Sequence, residues 1–423
     1  AHMVMWLMSM RGRPRSWRMM AGWPINTFRF INEQGKSTFV RFKWTPILGV
    51  HSLLLDEANV IGGVDPDFHR RDIIEAIQKG AYPEYELGIQ LISEEDEFSY
   101  DFDVLDDTKL WPEEEIPVQP IGKMTLNRLV DNFFAEEEQS VFDPANVVPG
   151  IEFANDPVLQ GRSIAYRDTE LYRQNSANIE DIPVNKPIVE RNYNYRDSYQ
   201  RHRIDVDSVH YHNNSLAGNT PSEASPEEGG YVHYPGKVDG RVTRERPSAS
   251  FDDHFSQPRL FWNSLSSVEK QDLLETLVFH LQYAKSDSVR QQNVEMWANV
   301  DREMACILAD ELGVNPPKGS HVPVTKSSPA ISQLNTPHYA YTQKVGVLIG
   351  NGFNSNEVRG VLDILQKNGV FIDIISESLS PVTGSDGTKI KPNETFLKKY
   401  SVLYDVIYVV GGNAKKQTKF NQD

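Results

Sequence analysis

Hydrophobic and polar residues alternate through residues 27–44, on either side of Asn32-Glu33-Gln34-Gly35. A period of two around a polar turn predicts a β-hairpin. Phe28, Phe30, Phe39 and Phe42 supply β-favouring aromatics. The period lengthens over residues 67–79, which read as a helix with Ile73, Ile74 and Ile77 on one face and Gly80 as its stop. Short strand patterns follow at 88–92 and 98–104. Further on, Ser266 and Glu269 form a capping box, with Leu273, Leu277 and Leu281 at helical spacing behind it. A second helical pattern carries Val300, Met304, Ile307 and Leu308 and stops at Gly313. From residue 344 the order is strand 344–349, helix 357–367, strand 370–375 and strand 406–410. That alternation predicts a parallel sheet, whereas the patterns before it are those of an α+β protein.

Between these patterns the chain is less regular. Residues 182–255 are polar and rich in Pro, Gly, Asn and Tyr, which suggests a linker. Tyr193, Tyr195, Tyr211 and Tyr231 argue against plain disorder there. Residues 315–340 form a Pro/Ser/Thr/Lys linker. With 423 residues, two or three domains each have enough chain for a core. A hydrophobic fraction of 39% and a charged fraction of 24% are those of a soluble globular protein. The net charge of −16 argues against nucleic acid or an anionic membrane as partner, but says nothing against a small neutral substrate. No stretch is long enough to span a bilayer, and the apolar start at residues 3–8 is short and lacks a cleavage-site pattern. A single cysteine, Cys306, excludes a disulfide within the chain and is expected to be buried and inert. His210-Tyr211-His212 offers two imidazoles without further ligands at metal-site spacing. The sequons at Asn213 and Asn393 carry little without a secretory context.

The sharpest candidate chemistry lies at Arg162 and Tyr166. Four residues apart on a helix, they share one face. Phenols are ordinarily neutral at physiological pH, and a neighbouring guanidinium favours the phenolate. Such an anionic oxygen can ligate ferric haem iron from one side. On spacing alone, however, Arg and Tyr four apart are usually an ordinary helix-surface pair.

The stretch Arg162-Ser163-Ile164-Ala165-Tyr166-Arg167-Asp168-Thr169-Glu170 resembles the proximal haem-ligand signature of haem catalases, the known case of tyrosine ligation, with Ile164 where that family usually has Phe. Further matches run in order through Phe39-Val40-Arg41-Phe42, Asp65-Pro66-Asp67-Phe68-His69-Arg70-Arg71, Pro83-Glu84-Tyr85-Glu86-Leu87-Gly88 and Glu94-Glu95-Asp96-Glu97-Phe98. They continue through Gly122-Lys123-Met124, Asp131-Asn132-Phe133-Phe134-Ala135-Glu136 and Arg259-Leu260-Phe261-Trp262, and the resemblance extends to about Gly313. The chain is most similar to the large-subunit type, which carries an extra C-terminal domain. The resemblance implies a partial catalase-type antiparallel β-barrel with the proximal haem helix at 1–181 and a wrapping segment at 182–262. A helical region at 263–314, the linker at 315–340 and a truncated flavodoxin-like α/β domain at 341–423 would follow.

The family also implies haem (type b or d), hydrogen peroxide as substrate, a homotetramer and a cytoplasmic role in oxidative-stress defence. Tyr166 would be the axial metal ligand, with Arg162 beside it. Arg173 would contact a propionate, and Ile25, Phe142 and Pro144 would line the haem pocket. Asn26 stands where the family usually has a His paired with an acid matching Asp156. An Asn can still hydrogen-bond that acid, but it cannot titrate. The distal imidazole and amide lie upstream of residue 1 in the family pattern, so no catalytic residue is assigned in this chain. The chain therefore reads as an internal fragment, expected to show negligible turnover by itself. The rival readings are a non-catalytic catalase-like fragment that keeps the proximal wall and oligomer contacts, and a small-molecule binding module built on the C-terminal segment. Gly350-Asn351-Gly352 lacks the third glycine of a dinucleotide fingerprint and reads as a tight turn. The C-terminal domain also resembles class I glutamine amidotransferase-like folds, whose nucleophilic Cys would fall near Gly411-Gly412-Asn413. No Cys is present there, so no amidotransferase activity is expected.

Overall fold

A computed structural model describes residues 2–189, 198–204, 209–236, 238, 249–319 and 326–412. Helix α1 (His2–Met8) buries Met5 completely. Strands β1 (Phe28–Ile31) and β2 (Ser37–Pro46) form the expected hairpin, with Phe28 opposite Val40 and Ile31 opposite Ser37. The Asn32 side-chain oxygen accepts from the amides of Gln34 (3.0 Å) and Lys36 (2.8 Å), and Gly35 takes the left-handed φ of +73° that closes the turn. After α2 (Leu55–Val64) and α3 (Phe68–Gln78) come β3 (Glu84–Ser93), β4 (Gln119–Thr125) and β5 (Ile151–Phe153). These five strands form one antiparallel sheet in the order β4-β3-β2-β1-β5. Phe39 and Ile92 from its face pack with Val104, Trp111, Ile116 and Ala154.

Two expectations for this region need correction. Residues 98–104 are not a strand but a run of turns, and Phe98 is exposed. The Asp103 carboxylate accepts from the Leu105 amide (2.9 Å), and Asp106 from the Thr108 amide (2.8 Å). Such local side-chain bonds offer the backbone an alternative to a ladder. In α3 the buried positions are Phe68, Asp72 and Ala76, while Ile73, Ile74 and Ile77 are half-buried. The helix is turned because Asp72 is drawn inward by Arg18 (2.8 Å) and Lys344 (3.2 Å).

Helix α4 (Pro157–Gln174) carries the Arg162/Tyr166 pair. The helical region comprises α5 (Ser256–Ser264), α6 (Ser267–Leu281), α7 (Asp287–Trp297) and α8 (Arg302–Leu312). Its core joins Met5, Phe261, Leu273, Leu277, Trp297, Met304 and Leu308. The Ser266 capping box forms as expected: Ser266 Oγ accepts from the Glu269 amide, and the Glu269 carboxylate from the Ser266 amide at 2.8 Å. Helix α7 escaped the pattern because its buried side, Val294 and Trp297, is too sparse to show a period. Ile307 is 41% exposed and Cys306 is half-buried, so neither is the core residue expected of it. The linker is not free of structure: Pro329–Ile331 and Gln333–Asn335 are short 3-10 turns, and Ile331 is buried in the helical core.

The C-terminal domain contains β6 (Lys344–Leu348), α9 (Ser355–Lys367), β7 (Phe371–Ser376), β8 (Val382–Thr383), β9 (Lys389–Ile390), β10 (Glu394–Thr395) and β11 (Val406–Val409). Its main sheet is parallel, in the order β10-β7-β6-β11, and β8 pairs with β9 separately. This is the flavodoxin-like α/β arrangement expected. The Gly350-Asn351-Gly352 segment is a tight turn pinned to Thr383 by two bonds, of 2.7 and 2.9 Å.

Candidate functional site

Helix α4 begins with Asp156, whose Oδ1 accepts from the amides of Val158 (2.9 Å) and Leu159 (3.0 Å). Pro157 occupies the first turn, where its missing N–H costs nothing, and Asn175 ends the helix in a left-handed conformation. The helix buries Leu159 and Glu170 but leaves Ile164 and Tyr172 exposed. Tyr166 is 40% exposed. The Arg162 guanidinium carbon lies 4.9 Å from its ring centroid, so the expected pair forms as a cation–π contact on one helix face. Among the described residues nothing hydrogen-bonds the Tyr166 hydroxyl.

Three distant segments converge on this helix. The first carries Ile25 and Asn26. Asn26 is 3% exposed, and its carbonyl oxygen accepts from Arg162. Its amide nitrogen donates to Asp156 (3.2 Å), the bond foreseen for an Asn at this position, and also to Asp107 (2.7 Å). The second segment is the loop bearing Asp107. Burial, then the charge of Asp156 and a hydrogen bond to it, push the Asp107 carboxyl up to about 7. Arg41 on β2 opposes this. Burial lowers its guanidinium to about 10, and its donors reach Thr27 Oγ1 (2.9 Å) and the carbonyls of Lys109 (2.6 Å), Val104 and Asp106 (both 3.2 Å). The third segment is Phe142-Asp143-Pro144, where Asp143 pairs with Arg167 at 3.7 Å, one residue beyond Tyr166. Phe142 is 78% exposed, Ile25 43%, and Pro144 is half-buried.

Arg173 lies in the last turn of α4, one residue before its end. Its guanidinium binds Glu170 (2.6 and 3.0 Å) and the carbonyls of Glu138 (2.9 Å) and Ser140. Most of its donors are therefore already used within the chain. Asp107 is the member that sequence reasoning missed. It stands 81 residues from Asn26 in a loop without periodicity, so no local signal could have linked them.

Other candidates do not gather at this helix. His2 packs between Trp6 and Phe261 (both 6.2 Å), where burial pushes its imidazole down to about 4. His212 Nδ1 meets the Asn219 carbonyl at 3.2 Å. Among the described residues no three His, Cys, Asp or Glu side chains form a metal cluster, and no helix is long and apolar enough to cross a membrane. A cavity of about 500 Å³, lined by Trp6, Arg11, Trp23, Lys43 and Ile331 among others, includes no residue of α4. Tyr193, Tyr195 and Asn413 lie outside the described residues.

An antiparallel sheet, a capped helix presenting an Arg/Tyr pair, a helical region and a parallel-sheet domain follow one another in this chain, and family models match it in that order. The catalase model matches residues 1–218, a catalase-related immune-responsive model residues 248–312, and the DJ-1/PfpI family model residues 343–422. The chain belongs to the catalase family. Among individual relatives, it is 56% identical over 412 residues to "Catalase" of Alkalihalophilus pseudofirmus, with 97% of this chain and 61% of that protein covered. "Catalase-2" of Bacillus subtilis is 53% identical over 422 residues, covering 99% of this chain and 61% of the relative. "Catalase HPII" of Pseudomonas putida is 43% identical over 423 residues, covering 98% of this chain and 59% of that protein. The chain thus spans about three fifths of the length of these relatives.

Proposed function

We propose that the chain forms the proximal side of a haem site in a catalase that disproportionates hydrogen peroxide to water and oxygen. One observation carries this reading. Tyr166, in the family's signature helix, is 40% exposed, its hydroxyl has no hydrogen-bond partner among the described residues, and Arg162 lies over its ring. The donor set suits ferric haem, for which a phenolate oxygen is a hard anionic ligand. When bound, the haem would supply the redox chemistry. Tyr166 would hold the iron. Arg162 would place positive charge beside the anionic ligand, and Asn26 would fix the guanidinium's position. Ile25, Phe142 and Pro144 would give apolar contact to the macrocycle. Arg173 would reach a propionate with the Nη1 hydrogen that its Glu138 bond leaves over.

The same reading extends to haem of type b or d, a homotetramer and cytoplasmic defence against oxidative stress. The distal groups that would move protons within bound peroxide are assigned to none of these residues, so turnover is proposed for a protein of the relatives' full length. Residues 341–423 are proposed as a structural domain, because no Cys stands at Gly411-Gly412-Asn413. Haemin titration of the 423-residue chain, followed by its visible spectrum, tests the ligand. Tyr166→Phe is expected to abolish the tyrosine-ligated spectrum and most of the binding. An unchanged spectrum and affinity in that variant would sink the assignment.

A further inference from the structure

Around Asn26 two carboxyl groups meet in unequal surroundings. Asp156 is fully buried and its charge is well compensated: Oδ1 accepts from the Val158 and Leu159 amides, and Oδ2 from the Asn26 side chain and the Thr27 amide (both 3.2 Å). Asp107 has only one such donor, Asn26 on Oδ2, and its Oδ1 is buried without a partner among the described residues. An anionic oxygen buried without a donor is costly, and a proton placed there removes the charge and can bond the neighbouring carboxylate. Two anions this close do not both ionise freely. The amide between them is the same one whose oxygen holds Arg162.

We propose that Asp107 holds a proton beside the Asp156 carboxylate, and that its loss to solvent draws Arg162 more strongly towards Asn26 and away from Tyr166. Asp107 is thus a positioning residue for the proximal ligand. This consequence for the ligand rests on the haem reading above, whereas the Asp107 proton does not. The path runs from Asp107 through the Asn26 amide to the Arg162 guanidinium and then to the Tyr166 ring. With the proton present, Asn26 faces one negative charge. With the proton gone it faces two, its amide is more polarised, and its oxygen is a stronger acceptor for Arg162.

Other charged groups surround Asp107. Arg41 reaches across from β2 and favours the ionised form, while Asp106 opposes it and is itself paired with Lys109 at 3.5 Å. His2 of α1 lies beside the Thr108 backbone and is neutral near pH 7, since burial lowers it to about 4. The balance leaves Asp107 titrating at about 7. The Asn26 side chain cannot titrate, so the adjustable proton sits one residue further out, on Asp107.

The test uses the whole chain labelled with [13Cγ]aspartate and [15N]arginine. The Asp107 resonance is expected to titrate near neutrality, and the Arg162 guanidinium signals to move with the same midpoint. In Asp107→Asn the Arg162 signals should stop moving. In Asn26→Ala, Asp107 should still titrate while Arg162 no longer follows. Titration of Asp107 in the ordinary carboxylate range, or Arg162 signals indifferent to it, would overturn the proposal. Haemin affinity supplies the second readout. The ratio of wild-type to Asp107→Asn affinity should fall roughly two- to fivefold between about pH 6 and about pH 8, the size of a screened charge interaction. A constant ratio overturns the link to the ligand. Equal haemin binding by wild type and Tyr166→Phe instead rejects the haem reading, and the NMR titration still decides the Asp107 proton.

Discussion

Asp72→Ala is expected to loosen the C-terminal domain from the rest of the chain. Asp72 is fully buried on α3. It accepts from Arg18 Nε (2.8 Å) and Nη2 (3.1 Å) and from the Ser16 hydroxyl, and it lies 3.2 Å from Lys344 at the first position of β6. Burial alone would raise this carboxyl, but Arg18, Lys344 and Ser16 more than reverse that and hold it well below the usual carboxylate range. Arg18 is itself 2% exposed, and among the described residues its one further side-chain partner is Thr342 Oγ1 at 2.8 Å. Removing Asp72 therefore strands a buried guanidinium and leaves Lys344, among the described residues, with Glu75 at 3.5 Å and the Phe68 ring at 5.5 Å to its centroid. Breaking a buried pair in this way costs about 3–5 kcal/mol, a large part of the ~5–15 kcal/mol that holds a typical domain.

Denaturant unfolding of the whole chain measures the loss, and limited proteolysis within residues 326–343 reports whether the domain has come undocked. Asp72→Leu combined with Arg18→Met should recover much of the loss, because no stranded charge remains. The sign with pH follows from the depressed carboxyl. Its contribution is fully present above the unfolded value of about 4 and is lost as pH falls below it. A loss under about 1 kcal/mol in Asp72→Ala, with the linker still protected, would refute the reasoning.

Other consequences are more local. Ser266→Ala removes the cap of α6 and should cost about 1 kcal/mol by denaturant midpoint, whereas Val268→Ala on the exposed side of the same helix should cost well under half of that. Leu308→Ala empties a fully buried position in the helical core and should cost about 2–5 kcal/mol in the same assay. Asp107 is raised in the folded chain, so the stability it lends is complete below about pH 4 and is lost as pH climbs through about 7. Asp107→Asn should therefore be the more stable protein at alkaline pH, by about 1 kcal/mol once solvent screening of this half-exposed group is discounted, with the difference vanishing near pH 4.

Local pattern was enough wherever an element's partners lie close in sequence or its own side chains set its ends. The hairpin at Asn32–Gly35, the Ser266 cap, the Arg162/Tyr166 face and the strand–helix–strand run after residue 344 are all of this kind. Each is governed by a period of two or about 3.6, or by a side chain bonding its own backbone. The motif at 162–170 also carried the family resemblance, and it lies within the residues that the catalase model matches.

Tertiary structure alone decided what depends on distant charges. Nothing in residues 67–79 announces that Asp72 rather than an isoleucine faces inward, since its partners, Arg18 and Lys344, are supplied by segments 54 and 272 positions away. Residues 98–104 have strand-like composition, but Asp103, and Asp106 just beyond them, bond locally and the backbone turns. The meeting of Asp107, Asn26, Asp156 and Arg162 is likewise a product of folding. A buried polar network is defined by which donors and acceptors remain once water is excluded, and only the packed chain determines that set.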